Sequence, residues 1–434
     1  MDAELVRDYI ANFIARRAPK LIQREVQLRT VRGKATTVIG PRRAGKTSLL
    51  WERIAELDRD ETLYLDFEDI ALKGLSAIEC LKVVTELFSE VSGKRVRNIF
   101  LDEVQNLEDW QSFIRTLLDR GYNVYATGSS SRLLSKELAT QLRGRSNTHL
   151  LLPFSFSEVL TATNSIPTDL NSLTAIGKLK NSLSRYLEYG GYPEVVLGRD
   201  ERDKLLGEYK ELIFLKDFVE RQNTKSIEVA RFVFNFVTQC FASEISVRRI
   251  TNELSSRNIP FGRNTVYDYT EKLQDTMIFF FLERYSTKVS MRAGWPKKVY
   301  LADNGLSWRL PLDKGRLMEN AVFLELKRRQ RQYPIDELYY YRDANGNEVD
   351  FVVKKGQQPS ELIQVTYISS ESEMRKSEVE SLLNASKKLG CKKLAIITWD
   401  YENTKRFHDM NVHFIPLWKW LLGKEPNKEK AAPT

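Results

Sequence analysis

Between the apolar run Ala35–Ile39 and a stretch of helical spacing, Lys46–Leu57, stands Gly40-Pro41-Arg42-Arg43-Ala44-Gly45-Lys46-Thr47. Few octapeptides restrict a fold more. Gly40 and Gly45 free the backbone to wrap an anion with its N–H groups. The helix opening near Lys46 aims its positive dipole end at the same point. Lys46 can then reach the β- and γ-phosphates of a nucleoside triphosphate, while the Thr47 hydroxyl ligates Mg2+. A plain glycine turn before a helix would need neither the lysine nor the hydroxyl. Gly40, Pro41, Arg42, Arg43, Ala44, Gly45, Lys46, Thr47 and Ser48 are therefore the expected binding residues for ATP.

Such a loop needs a parallel sheet around it, and the chain alternates accordingly. The β-rich runs Ala35–Ile39, Thr62–Asp66, Asn98–Asp102, Asn123–Thr127 and Thr148–Leu152 are interleaved with helical stretches at Lys46–Leu57, Ser76–Val91 and Leu107–Arg120. Apolar strands separated by helices predict an α/β core over residues 1–153, its sheet covered on both faces. The third run continues Ile99-Phe100-Leu101-Asp102-Glu103. Two acids closing an apolar strand put Asp102 beside the metal and Glu103 beside the attacking water, which favours hydrolysis over transfer to another acceptor. The fourth run ends in Thr127-Gly128-Ser129. Ser129 first and Thr127 second are expected to sense the γ-phosphate, the alternative being a cap for the following helix. Arg143 and Arg145, just before the fifth run, sit where an arginine of an oligomer could reach a neighbouring subunit's nucleotide. An exposed basic turn is the plainer alternative.

Taken with downstream segments, these motifs resemble a known family. GPRRAGKTSLL, IFLDEVQ, TGSSSRLLSKELATQLRGR, LPFSFSEVL, YLEYGGYPEVV and KVYLADNGL follow one another as in archaeal and bacterial ATPases of the AAA+ class, where an AAA_14-type module precedes a DUF4143-type region. The resemblance covers most of the chain. It implies a P-loop NTPase (AAA+-like) core and an ATPase activity, and it names no pathway.

Past Phe154 the strands stop. Residues 154–220 read as a helical lid or connector interrupted by the breaker Tyr189-Gly190-Gly191-Tyr192-Pro193. Residues 221–295 follow the order of a winged helix-turn-helix: helix, helix Ile245–Leu254, tight loop with Gly262, helix Asn264–Thr276, then the β-rich run Met277–Tyr285. Charge concentrates here. Residues 221–300 hold thirteen Lys and Arg against seven Asp and Glu, +6 of the chain's +9. Arg263, Asn264, Tyr267 and Lys272 are expected on the recognition helix, Arg248 and Arg249 toward a DNA backbone, and Arg284, Lys288 and Arg292 in or past the wing. The alternative is a packing or protein-interaction module.

Residues 296–425 return to strands and helices in the order of a restriction-endonuclease-like α/β domain. Glu319 on a helix, Asp350 after the turn Asn345-Gly346-Asn347, and the strand Glu361-Leu362-Ile363-Gln364-Val365-Thr366 take the positions of its site. Such a nuclease needs carboxylates for Mg2+ and a lysine to activate water. Gln364 and Thr366 stand where the acid and the lysine belong, and Glu361 points to the other face. The site is read as degenerate, unable to cut, with Lys354 and Lys355 the nearest candidates for a displaced lysine.

Cys80, Cys240 and Cys391 lie far apart, without metal-ligand spacing, and suit free thiols in a reducing cytosol. The charged N-terminus is no signal peptide, and no apolar run is long enough to span a membrane. A cytoplasmic location is expected, with a disordered tail at 426–434. Three functions fit: an Mg2+–ATP hydrolase that binds DNA and works as a homo-oligomer, a nucleotide-gated regulatory or defence switch using the winged helix on protein, and an active ATP-dependent nuclease.

Overall fold

The computed structural model describes residues 2–129, 142, 144–167, 169, 172–198, 201–221, 224–286, 295–311, 313–330 and 336–424. The chain forms two compact units, residues 1–153 with 275–277, and residues 154–274 with 278–434.

Strands β1 (Ala35–Ile39), β2 (Thr62–Asp66), β3 (Asn98–Asp102), β4 (Asn123–Gly128) and β5 (Ser146–Leu150) form a sheet of order β2-β3-β4-β1-β5, and every pairing is parallel. The side chains alternate between two apolar layers. Leu63, Leu65, Ile99 and Leu101 point to one face, among Val84, Phe113 and Leu117; Tyr64, Phe100 and Tyr125 point to the other, among Leu49, Leu50 and Trp51. Burying each such side chain contributes roughly 1.5–3 kcal/mol. The flanking helices are α1 (Ala3–Ala15), α2 (Lys46–Ile54), α3 (Ala77–Lys82), which runs through a π segment into α4 (Phe88–Ser92), and α5 (Trp110–Asp119). α1 falls in the charged N-terminal segment, for which no helix was expected. Its Val6, Ile10 and Phe13 form a buried stripe at helical spacing, and the Asp2 side chain caps it by accepting from the N–H groups of Glu4 and Leu5. The fifth strand starts two residues before its expected bound, because Ala35 pairs with Ser146 and Ile39 with Leu150.

The second unit opens with α6 (Phe156–Ala162), α7 (Leu173–Tyr189), α8 (Pro193–Leu197) and α9 (Arg202–Leu212). Then come α10 (Ile227–Gln239), β6 (Ser243–Ile245), α11 (Val247–Ser256), α12 (Arg263–Asp275), β7 (Phe279–Leu282) and β8 (Lys297–Leu301). The three strands make an antiparallel sheet of order β6-β8-β7, in which β6 takes up Ile245, expected to open a helix, and β8 comes from beyond the expected boundary at 295. After α13 (Lys314–Arg329) follows a six-stranded mixed sheet of order β13-β14-β12-β11-β10-β9. Its strands are β9 (Asp336–Arg342), β10 (Glu348–Lys355), β11 (Gln358–Thr366), β12 (Leu394–Thr398), β13 (Asn403–Phe407) and β14 (Met410–Pro416), with helices α14 (Lys376–Leu389) and α15 (Leu417–Leu421). α14 buries Val379, Leu382 and Leu383 among Val349, Val352 and Leu362. α13 joins the two sheets: Phe323 stacks on Tyr300 of β8 at 4.1 Å and approaches Phe351 of β10 at 6.4 Å.

A clasp explains two of the motifs. The N–H of Gly191 donates to Asp303 Oδ2 at 2.6 Å, and a Cβ on Gly190 would lie 1.6 Å from Asp303 Oδ1. Gly190 also has φ of +75°, a conformation that suits glycine. Asn304 donates to the carbonyls of Leu187 and Leu317, both at 3.0 Å. The breaker at 189–193 is thus a seat for the turn at 303–305. Burial drives the Asp303 carboxyl up to about 7.

Candidate nucleotide-binding site

β1 delivers the chain into the loop at the C-terminal end of the sheet. Gly40 can have no side chain, since a Cβ there would lie 2.0 Å from the Leu151 carbonyl. Arg43 and Gly45 turn through positive φ (63° and 93°) before α2 begins. Buried Arg24 fixes the loop from behind, donating to the carbonyls of Ala44 at 2.8 Å and Leu152 at 2.7 Å. Thr47 and Ser48 are exposed at the start of α2, and Arg42 reaches Glu68 at 3.6 Å. The buried Lys46 ammonium lies 3.4 Å from the Gly40 carbonyl, 3.3 Å from that of Pro41 and 3.4 Å from Glu103 Oε1.

Because β4 lies between β1 and β3, the ends of three strands converge on this loop. Asp102 is buried and accepts from Tyr64 OH at 2.8 Å and from the Thr127 hydroxyl. Thr127 Oγ1 also accepts the Glu103 N–H at 3.0 Å. Thr127, the second choice for sensing phosphate, is fully buried and instead positions both acids. Ser129 hydrogen-bonds the Glu103 carboxylate. Burial alone would raise the Glu103 pKa, but Lys46, Gln105, Arg42 and Ser129 outweigh it and hold the carboxyl below its usual range. Asp66, which the sequence reading left out of the site, ends β2 level with Asp102. Burial, and then the neighbouring Asp102, pushes it up to about 6. Its signal was the acid closing Thr62–Asp66, the same ending that marked Asp102.

Arg145 precedes β5, at the end of the sheet away from the loop, and is ion-paired with Asp119. Arg143 lies outside the described residues.

The residues expected to face DNA are less uniformly basic in space than in sequence. Arg248 and Arg263 are exposed and, among the described residues, make no ion pair; Asn264 and Tyr267 are exposed as well. Arg249 donates to the Glu244 carbonyl at 3.0 Å, and Lys272 pairs with Asp268 at 2.8 Å. Arg284 does not extend into a wing: it stacks over Trp295 at 4.0 Å and donates to the Arg342 carbonyl. Lys288 and Arg292 lie outside the described residues.

In the C-terminal sheet, Glu319 and Asp350 do come together. Gln364 Oε1 accepts the Asp350 N–H at 3.4 Å, Thr366 is buried, and Glu361 turns away to Lys393 at 2.9 Å. The centre is not short of a lysine, however. Lys298 of β8 reaches Glu319 and Asp350, both at 2.9 Å, whereas Lys354 pairs with Glu337. The lysine was expected at the position of Thr366, or displaced to Lys354 or Lys355, whereas Lys298 comes from a strand of the other sheet. One signal was available, a lysine two positions before Tyr300 on the inward face of an apolar strand.

An AAA domain family (AAA_14) matches residues 32–160, and two families described as domains of unknown function match residues 180–315 (DUF8612) and 314–420 (DUF4143). An uncharacterised protein of Methanocaldococcus jannaschii is 34% identical over 424 residues, covering 94% of this chain and 92% of its own. One from Haemophilus influenzae is 27% identical, covering 89% and 93%. The solved structure of Cdc6p from Pyrobaculum aerophilum aligns at 14% identity over 57% of this chain and 80% of its own, with a TM-score of 0.23. The chain belongs to the AAA-class ATPase family in which an AAA domain is followed by a DUF4143 region.

Proposed function

We propose that this chain is a Mg2+-dependent ATP hydrolase that binds DNA through α11 and α12 and couples turnover to assembly or movement on it. The observation that supports hydrolysis is the gathering of Lys46, Asp102, Glu103 and Ser129 at one end of one sheet. An arriving γ-phosphate replaces Glu103 and the loop carbonyls as the partner of Lys46. Released from the ammonium, Glu103 keeps Ser129 and Gln105 to orient it and can accept a proton from water. The exposed Thr47 hydroxyl and Asp102, the latter steadied by Tyr64 and Thr127, fit a hydrated Mg2+ and would hold it. A Mg2+ ion held by Thr47 and Asp102 would supply positive charge against that developing on the phosphates.

Lys46→Ala is expected to abolish turnover and weaken ATP binding. Glu103→Gln should keep ATP affinity while turnover falls by about 10²-fold or more. Equal loss of affinity in both variants would sink the assignment of Glu103.

A second reading rests on α12. Its exposed face carries Asp268 and Glu271 beside Arg263 and Tyr267, a mixed surface that suits a protein partner and a nucleotide-gated switch. Replacing Arg248, Arg249, Arg263 and Lys272 by Ala should flatten the salt dependence of DNA binding by up to about 0.9 log–log units per lost contact. DNA binding that is absent, or unchanged in this variant, moves the protein-partner reading ahead.

A further inference from the structure

Lys298 is a lysine at a core position of the three-stranded sheet. Its side chain is 3% exposed. Its ammonium meets three carboxylates, Glu319 Oε1 at 2.9 Å, Asp350 Oδ1 at 2.9 Å and Glu348 Oε1 at 2.6 Å. An ammonium carries three protons, so each carboxylate can take one. The surroundings fix the cage. Tyr300 OH donates to Glu319 Oε1 at 2.6 Å, and the Val365 N–H donates to Asp350 Oδ2 at 2.9 Å. Burial opposes the ammonium charge, yet Asp350, Glu319 and Glu348 raise the Lys298 pKa well above its usual value. Among the described residues, no three His, Cys, Asp or Glu are placed to hold a metal by themselves. The acids are spread around a nitrogen instead.

We propose that Lys298 is the resident cation of this carboxylate centre, so that its ammonium stands among Glu319, Glu348 and Asp350 where a divalent ion would stand and keeps such an ion out. The role is independent of the nucleotide site. A lysine next to a metal activates water, whereas a lysine in place of the metal leaves no Lewis acid to act on. The centre becomes an ionic joint between β8 of one sheet and β10 of the other. It is still within reach of small ions: a cavity of about 450 Å³ is lined in part by Lys298, Glu319, Glu348, Arg249 and Arg342. Two cations cannot share so small a shell without strong repulsion.

The test uses the full-length chain without nucleotide and Ca2+ as probe. Ca2+ takes oxygen ligands at about 2.3–2.6 Å, nearer the observed shell than Mg2+ does. Wild type is expected to show neither calorimetric binding nor a melting shift with Ca2+. Lys298→Met should melt roughly 10 °C lower, bind one Ca2+ and recover part of that loss when Ca2+ is added. Adding Glu348→Gln and Asp350→Asn should remove the binding and restore melting toward wild type, because the uncompensated charge is gone. Ca2+ binding by wild type that Asp350→Asn abolishes would overturn the proposal. So would a folded Lys298→Met that binds none. If Lys298→Met does not fold, the triple variant decides: recovery supports the resident-cation role, and continued failure to fold shows that Lys298 serves packing rather than charge.

Discussion

Two buried lysines meet acids in this molecule, and they are held very differently. Lys46 faces one carboxylate and two carbonyls at 3.3–3.4 Å, beside exposed hydroxyl residues. Lys298 faces three carboxylates at 2.6–2.9 Å, in a cage braced by Tyr300 and Val365. The first lysine has long contacts that a better anion can replace. The second has one short partner for each proton and nothing to gain from exchange. Slack marks a lysine that works on a ligand, and saturation marks one that works on the fold.

Stability separates the two most strongly. Lys298→Met should cost about 3–5 kcal/mol by denaturant unfolding, since it strands buried carboxylates. Lys46→Met should cost no more than about 1 kcal/mol, because Glu103 keeps Gln105, Ser129 and Arg42 around it. Similar losses in both would break the contrast. Thr127→Val sharpens the nucleotide side: it removes the hydroxyl shared by Asp102 and the Glu103 N–H, and should cost about 1–3 kcal/mol together with turnover. Retained turnover would show that the acids hold their own positions. Arg145→Ala should have the least effect on stability, about 0–1 kcal/mol, because its ion pair with Asp119 is exposed. Mixed with Lys46→Ala protein, an Arg143→Ala, Arg145→Ala chain should regain activity if either arginine acts across subunits; no regain would make both bystanders.

The same contrast explains what could be read in advance. Gly40 to Thr47 and Asp102–Glu103 are short contiguous patterns, and each carries its chemistry within one loop or strand end. Lys298 and Asp350 are 52 positions apart and meet only because β8 lies between β6 and β7 and against α13. Gln364 and Thr366 are an amide and a hydroxyl where an acid and a lysine were expected, and the cation beside Asp350 lies on another sheet. The basic excess of residues 221–300 was likewise a sum along the chain. In space, Lys298, Lys272, Arg231 and Arg257 each sit beside an acid, which a count cannot show. α1 escaped because its stripe of Val6, Ile10 and Phe13 is narrow and set among charges.

The clasp between Gly191 and Asp303 has a consequence in time. Its partners are 112 positions apart, and everything from α8 to β8 lies in the loop they close. Contacts at that separation form late, after local helices and hairpins, because the chain entropy lost on closing the loop comes before the reward. Refolding of the second unit should therefore wait on this closure. Gly190→Ala, which puts a methyl against Asp303, should hasten unfolding more than it slows the early steps. Until the clasp shuts, the apolar strands within the loop and beyond it stay open to neighbouring chains, so refolding yield should fall as protein concentration rises.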